Sequence, residues 1–277
     1  MHSDPTTPPL VVLTDFFAPA NRALDYAAAL ALPLRARLVL LHVLHDGLLA
    51  PAEYNSRRAR QGEHQAIAAL EQLAAQQPVP TRVDVSEDFL PDATREAVRR
   101  HHPLLLVLGR PGSATMPIEV VTSAALDVLR NAPHPLLIVP TEGWDVYPPR
   151  RLLLAVDGDP FQLTNYRDVL RRLLRATEGT LDVVHVTTDD DPPTTAAVLQ
   201  TIYANDLVDR VDAHLLHQVQ QATVVGGILQ EAARQQADLL VVVARRHSLL
   251  GGLFHDSVTA QIIQESPIPV LLLPAEG

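Results

Sequence analysis

Apolar residues come along this chain in short unbroken runs, separated by longer stretches where they recur every three or four positions. In the first half the runs predict strands near 10–14, 37–43, 80–85, 104–108 and 135–139. Between them ANRALDYAAALALPL, AEYNSRRARQGEHQAIAALEQLAAQ, PDATREAVRRH and VTSAALDVLRN read as helices. In the first of these, Ala20, Leu24, Ala27 and Ala28 share one helical face. The runs LVVL, LVLLHV and LLLVL are apolar on both faces of a strand, which suits a parallel sheet covered by helices on both sides. Right-handed crossovers then give an open, doubly wound α/β unit. Ligands in such sheets sit beyond the carboxyl ends of the strands, at the point where strand order reverses.

The same pattern is written twice. LVVLTD (10–15) matches LLLAVD (152–157), RLVLLHV (37–43) matches TLDVVHV (180–186), and NAPHPLLIVP (131–140) matches ESPIPVLLLP (265–274). The offset falls from 142–143 early to 134 late, so the second copy lacks about eight residues between its second and third strands. TEGWDVYPPR (141–150), with two prolines and a glycine, reads as the linker, giving units over 8–141 and 150–275. The period is that of a duplicated domain rather than of a solenoid.

Composition narrows the function. The 277 residues are 47% hydrophobic and 19% charged, with a formal net charge of −10. That balance disfavours sequence-blind nucleic-acid binding, which relies on clustered bases. No apolar run approaches the ~20 residues of a membrane span, and MHSDPTTPPL lacks the regions of a signal peptide. There is no cysteine, which removes thiolate chemistry and disulfides and fits a cytosolic setting. There is also no lysine; all 22 basic residues are arginine. A P-loop NTPase, a protein kinase and a Schiff-base enzyme each need a lysine, so none of them fits. Hydrolysis of a nucleotide, if any, is expected to be slow.

The candidate site lies at the strand ends. In LLLVLGRPGSATMPIEVVTS, Gly109 and Gly112 let backbone N–H groups approach a phosphate, and Thr122 or Ser123 can cap the following helix. Asp15 ends the first strand and Val43 the second. Taken together, VVLTD, RLVLLHV, LLLVLGRPG-x9-TS and APHPLLIVP resemble the universal stress protein family, once per half. The family's motif, G-x2-G-x9-G-[ST], falls on Gly109, Gly112, Thr122 and Ser123, with Thr122 in place of the third glycine. The resemblance implies that Asp15 and the backbone of Val43 meet an adenine, and that the ligand is ATP or a related adenine nucleotide, with or without Mg2+. It implies two Rossmann-like units, each with a five-stranded parallel sheet. They are expected to pair through their last strands, HPLLIVP and IPVLLLP, as a pseudo-dimer within one chain. It also implies a regulatory role with a protein partner, and a homodimer of the tandem chain is open.

The second loop departs from the motif. Val243, Arg246 and Asp256 take the glycine positions and only Ser257 survives. A branched side chain and a carboxylate where an anion would sit read as a lost phosphate site. Asp157 then caps its own loop through an Asx-type turn. A ligand of another kind, held by Arg245, Arg246, His247 or His255, stays open for this half. HLLH (214–217) is placed on a strand, with its histidines on opposite faces, and His101 and His102 are expected to be solvated. RRARQGEH (57–64) reads as a solvated helix face. Two other readings compete: a protein-interaction module without nucleotide, favoured by Thr122, and a phosphoacceptor at Asp15, disfavoured by the missing lysine.

Overall fold

The computed structural model describes residues 8–14, 18–44, 57–110, 118–142, 147–163, 166–188, 195–205, 213–245 and 257–275. The first half comprises β1 (Leu10–Thr14), α1 (Ala18–Leu34), β2 (Leu38–Val43), α2 (Arg57–Ala75) and β3 (Thr81–Ser86). It continues with α3 (Leu90–His101), β4 (Leu105–Arg110), α4 (Ile118–Asn131) and β5 (Leu136–Pro140). The second half comprises β6 (Arg151–Val156), α5 (Arg167–Thr177), β7 (Thr180–Thr187), α6 (Thr195–Ala204) and β8 (Leu216–Gln220). It ends with α7 (Val224–Arg234), β9 (Leu239–Arg245), α8 (Val258–Glu265) and β10 (Val270–Ala275). Between the second and third strands of each half, the described α6 has 10 residues where α2 has 19.

All ten strands form one sheet in the order β3-β2-β1-β4-β5-β10-β9-β6-β7-β8. Each half is parallel, with its order reversing between β1 and β4 or between β6 and β9. The halves meet where β5 and β10 run antiparallel, with Ile138, Leu137 and Leu136 opposite Val270, Leu271 and Leu272. The apolar last strands therefore cover each other's edges, which would otherwise be sticky. The expected intramolecular pseudo-dimer is observed. The flanking prolines at 135, 140, 269 and 274 hold the shared ladder short.

Alternate residues of the strands feed two apolar layers. Leu10 and Val12 face the layer built with α1, α2, α5 and α6, and Val11 and Leu13 face the layer of α3, α4, α7 and α8. Both layers run through the junction, where α1 meets α5 and α4 meets α8. Tyr166 donates its hydroxyl proton to the Pro133 carbonyl across the junction. The Tyr166 ring stands edge-on to His134, 5.4 Å between centroids.

The duplication reaches the backbone. Arg35 and Glu178 end α1 and α5 at φ 52, and His102 and Gln236 follow α3 and α7 at φ 45 and 51. Such left-handed residues satisfy the orphan carbonyls of a helix end. His102 N–H, for instance, donates to Val98 O at 3.0 Å and Glu178 N–H to Leu174 O. Four non-glycine residues thus carry a conformation that costs each some strain, at matched positions in both copies.

Candidate functional site

The switch points of the two halves lie between β1 and β4 and between β6 and β9. In both, the first strand is tied to the second by the same device. His42 Nδ1 donates to Thr14 O at 3.0 Å, and His185 Nδ1 donates to Val156 O at 3.1 Å. Thr14 Oγ1 adds a bond to Leu41 O at 3.2 Å. These bonds fix where the first strand releases its loop. Val43 ends β2 and is half-buried, paired with Ser86. Asp15, one residue past β1, lies outside the described residues, as does Gly112.

Gly109 is buried in β4, opposite Val139 of β5. Its register partner in the second half is Val243, opposite Leu273 of β10. Beside Gly109 is Arg110, whose guanidinium crosses the junction. Nη1 donates to Ile263 O at 2.7 Å and Gln264 O at 2.6 Å, and Nη2 donates to Ser266 O at 2.6 Å. Burial lowers the Arg110 pKa from its ordinary value, and the guanidinium keeps its charge. The three acceptors lie at the end of α8, where carbonyls lack partners within the helix and the dipole favours a cation.

Thr122 and Ser123 require a correction. They do not cap α4, because that helix begins four residues earlier, at Ile118. Thr122 is buried in the second turn and donates its hydroxyl proton to Ile118 O at 2.9 Å, while Ser123 is exposed. Pro117 before the helix and Glu119 in its first turn are start signals that the T-S pair obscured. Ser257 behaves as expected of a cap. It precedes α8 and accepts from Ala260 N–H at 3.1 Å.

In the second half the end of β9 is clasped to the loop after β6. Arg245 ends β9 with its side chain 7% exposed. Nη2 donates to Asp157 Oδ1 at 2.6 Å and to Asp159 O at 2.7 Å, and Nη1 donates to Pro160 O at 2.7 Å. Its guanidinium carbon stands 5.9 Å from the centroid of the buried Phe161 ring. Asp157 makes the expected Asx turn, accepting from Asp159 N–H at 3.2 Å, and also the ion pair that sequence reasoning missed. Buried Asn205 holds the far end of the same loop through Leu163 N–H at 2.8 Å and Phe161 O at 2.7 Å. Of the candidate ligand groups of this half, Arg245 is therefore committed internally. Arg246, His247, His255 and Asp256 lie outside the described residues.

The other histidines also differ from expectation. His214 sits in a short 3-10 turn (Ala213–Leu215) rather than on the strand. His217 on β8 lies 3.3 Å from Asp182 Oδ1 and 3.4 Å from Glu231 Oε1. Hydrogen bonds from Arg234 and Gln235 hold the Glu231 pKa below the usual carboxylate range, with the Arg234 bond the larger cause. His101 is not solvated. It is largely buried, 2.6 Å from Asp84 Oδ2, while His102 is exposed. α2 includes residues 57–64, whose side chains are outside the described set.

Among the described residues no helix is long and apolar enough to cross a membrane. The profile described as the universal stress protein family matches residues 7–140 and again 149–274. No curated protein matches the chain. Among solved structures, a universal stress protein from Archaeoglobus fulgidus is similar at 16% identity, with a TM-score of 0.68, covering 97% of this chain and 99% of that one. A putative universal stress protein from Pseudomonas aeruginosa is similar at 16% identity and a TM-score of 0.56, covering 98% and 94%. The cytoplasmic domain of a prokaryotic cation chloride cotransporter shares the fold at 11% identity and a TM-score of 0.53, covering 97% and 95%. With the family pattern in both halves and the paired five-stranded units, this chain belongs to the universal stress protein family, as a tandem member.

Proposed function

We propose that the first half holds ATP or a related adenine nucleotide, one per chain, and that the protein works as a sensor or regulator in the stress response. The observation that carries this reading is Gly109, which stands at the end of β4 beside the switch point, where the second half has Val243 and, two residues on, the Arg245 clasp. A residue without a side chain leaves backbone open to a phosphate. The N-terminus of α4, a helix of 14 residues, adds N–H groups that favour an anion. Asp15, Val43 and Gly112 complete the site in this reading, with Ser123 on the flank of α4. A bound Mg2+ would neutralise phosphate charge that no lysine here can meet. The same reading places the chain in the cytosol, with a regulatory protein or a second copy of the chain as partner.

Isothermal titration with ATP, with and without Mg2+, tests it. One equivalent per chain is expected. Gly109→Val, which copies the second half, should weaken affinity more than tenfold, or about 1.4 kcal/mol, in a protein that stays folded. No heat at millimolar ATP would defeat nucleotide binding. A second equivalent would defeat the assignment to one half.

Thr122 favours a second reading, an interaction module without nucleotide. Its buried side chain packs inside α4 where the family has glycine. Gly112→Arg separates the two. It should abolish ATP binding under the first reading and leave partner binding intact under the second.

A further inference from the structure

Arg110 is a residue of the candidate phosphate turn in sequence and a cap of the other half in space. Its side chain reaches the carbonyls of Ile263, Gln264 and Ser266, 153 to 156 residues ahead. Its own carbonyl accepts from Thr141 N–H at 3.2 Å, at the start of the linker. Any ligand that settles the backbone at Gly109 therefore settles the next residue, and through it the last turn of α8. That helix follows directly on residues 246–256 of the second half, the stretch carrying Arg246, His247, His255 and Asp256.

Among the described residues this arginine contact runs in one direction only. Arg110 lies opposite Pro140, and the residue opposite Pro274 in the second copy is Ala244. Alanine has nothing to send to the end of α4. That end receives Arg95 Nε of its own half, donating to Asn131 O at 3.2 Å, and two residues on the Tyr166 hydroxyl of the second half, donating to Pro133 O, but no arginine from across the junction among the described residues. The pseudo-two-fold is thus broken at the position where a loop of one half grips a helix of the other. Three charge-assisted bonds to one guanidinium are a stiff connection.

We propose that Arg110 couples occupancy of the first crevice to the C-terminal turn of α8, so that a nucleotide bound in one half is read out in the other. This rests on the nucleotide reading of the first half. Arg110 is a positioning residue here: it orients Gly109 through the backbone and touches the second half with its side chain. Coupling of this kind is reciprocal, so loss of the grip should alter nucleotide affinity as well.

The test is hydrogen exchange of the full chain with and without ATP, beside titration calorimetry on the same samples. In the wild type, ATP should change exchange of the amides over 260–268. In Arg110→Ala, ATP should still bind, about fivefold to tenfold more weakly, with that change lost. Arg110→Lys keeps the charge but not the planar fork. It should retain the fold even if the alanine variant does not, and show a reduced exchange response. ATP binding to the wild type with no exchange change over 260–268 would overturn the coupling while leaving the nucleotide reading standing. An undiminished response in either variant would also overturn it. Absence of ATP binding to the wild type would remove both.

Discussion

The carboxyl ends of β4 and β9 are one position of one ancestral unit, and they have been spent in opposite ways. At β4 the chain has Gly109 and sends the next side chain outward, across the junction, to α8. At β9 it has Val243 and Ala244, then turns Arg245 inward onto the loop after β6. An arginine in each half thus ties the end of its strand to another segment, Arg110 through three backbone carbonyls and Arg245 through two carbonyls and the Asp157 carboxylate. A carbonyl in a loop is a fixed acceptor, so a buried guanidinium with several such partners behaves as part of the wall. Arg245→Ala removes three charge-assisted bonds and leaves a void over Phe161. Each bond to a charged group contributes about 1.5–3 kcal/mol, not additively, so a loss of about 3–5 kcal/mol is expected in urea unfolding. Asp157 is 55% exposed and can take water in place of its partner, which keeps the loss at the lower end. A change under about 1 kcal/mol would mean the clasp is decoration.

The junction offers a second asymmetry. His134 precedes β5 where Ile268 precedes β10. The imidazole is buried against Tyr166 and donates from Nε2 to Pro103 O at 2.8 Å. Burial pushes its pKa down to about 4, against a smaller upward pull from that carbonyl. The unfolded chain binds a proton on this group near pH 6.5, and the folded chain only near pH 4. Stability from this residue is therefore full above about pH 6.5 and lost as pH falls toward 4, by up to about 3 kcal/mol. His134→Ile, which copies the second half, should flatten the unfolding free energy over that range by the same amount. Parallel pH profiles of the two proteins would place the acid sensitivity elsewhere.

These asymmetries were unevenly legible in the sequence. The strands were readable because runs such as LVLLHV are apolar on both faces, and a strand buried in a parallel sheet needs nothing else. The matched prolines of 131–140 and 265–274 revealed the duplication, and the family resemblance with the two apolar last strands implied the pairing of β5 with β10. The loss of Gly109 to Val243 was equally plain, because glycine is a local requirement. The grips of Arg110 and Arg245 were not legible. Five of their six acceptors are backbone carbonyls 85 or more residues away, which have no residue type to recognise, and the sixth, the Asp157 carboxylate, lies 88 residues from Arg245. The start of α4 was misread for a different reason. The motif frame drew attention to Thr122 and Ser123, although Pro117 and Glu119 announced the helix earlier. The charge pair between the third strand and the helix after it was hidden because its members trade places. Asp84 on β3 takes His101 and Arg100 of α3, whereas His217 on β8 faces Glu231 of α7.

The mildest expected effects come from the two serines that the motif equates. Ser257 is a working cap, with an extended backbone at φ −70 and ψ 144 and its Oγ accepting from Ala260 N–H. Ser123 is exposed on the second turn of α4, past the positions whose N–H groups lack partners. Ser257→Ala should therefore cost about 1 kcal/mol, the usual worth of a cap, and Ser123→Ala should stay within about 0.5 kcal/mol. Urea midpoints of the two variants, read at unchanged slope, measure the difference. Equal losses would mean that Ser123 does cap its helix in solution and that α4 starts near residue 123. In that case the two halves would be more alike than their helix ends indicate.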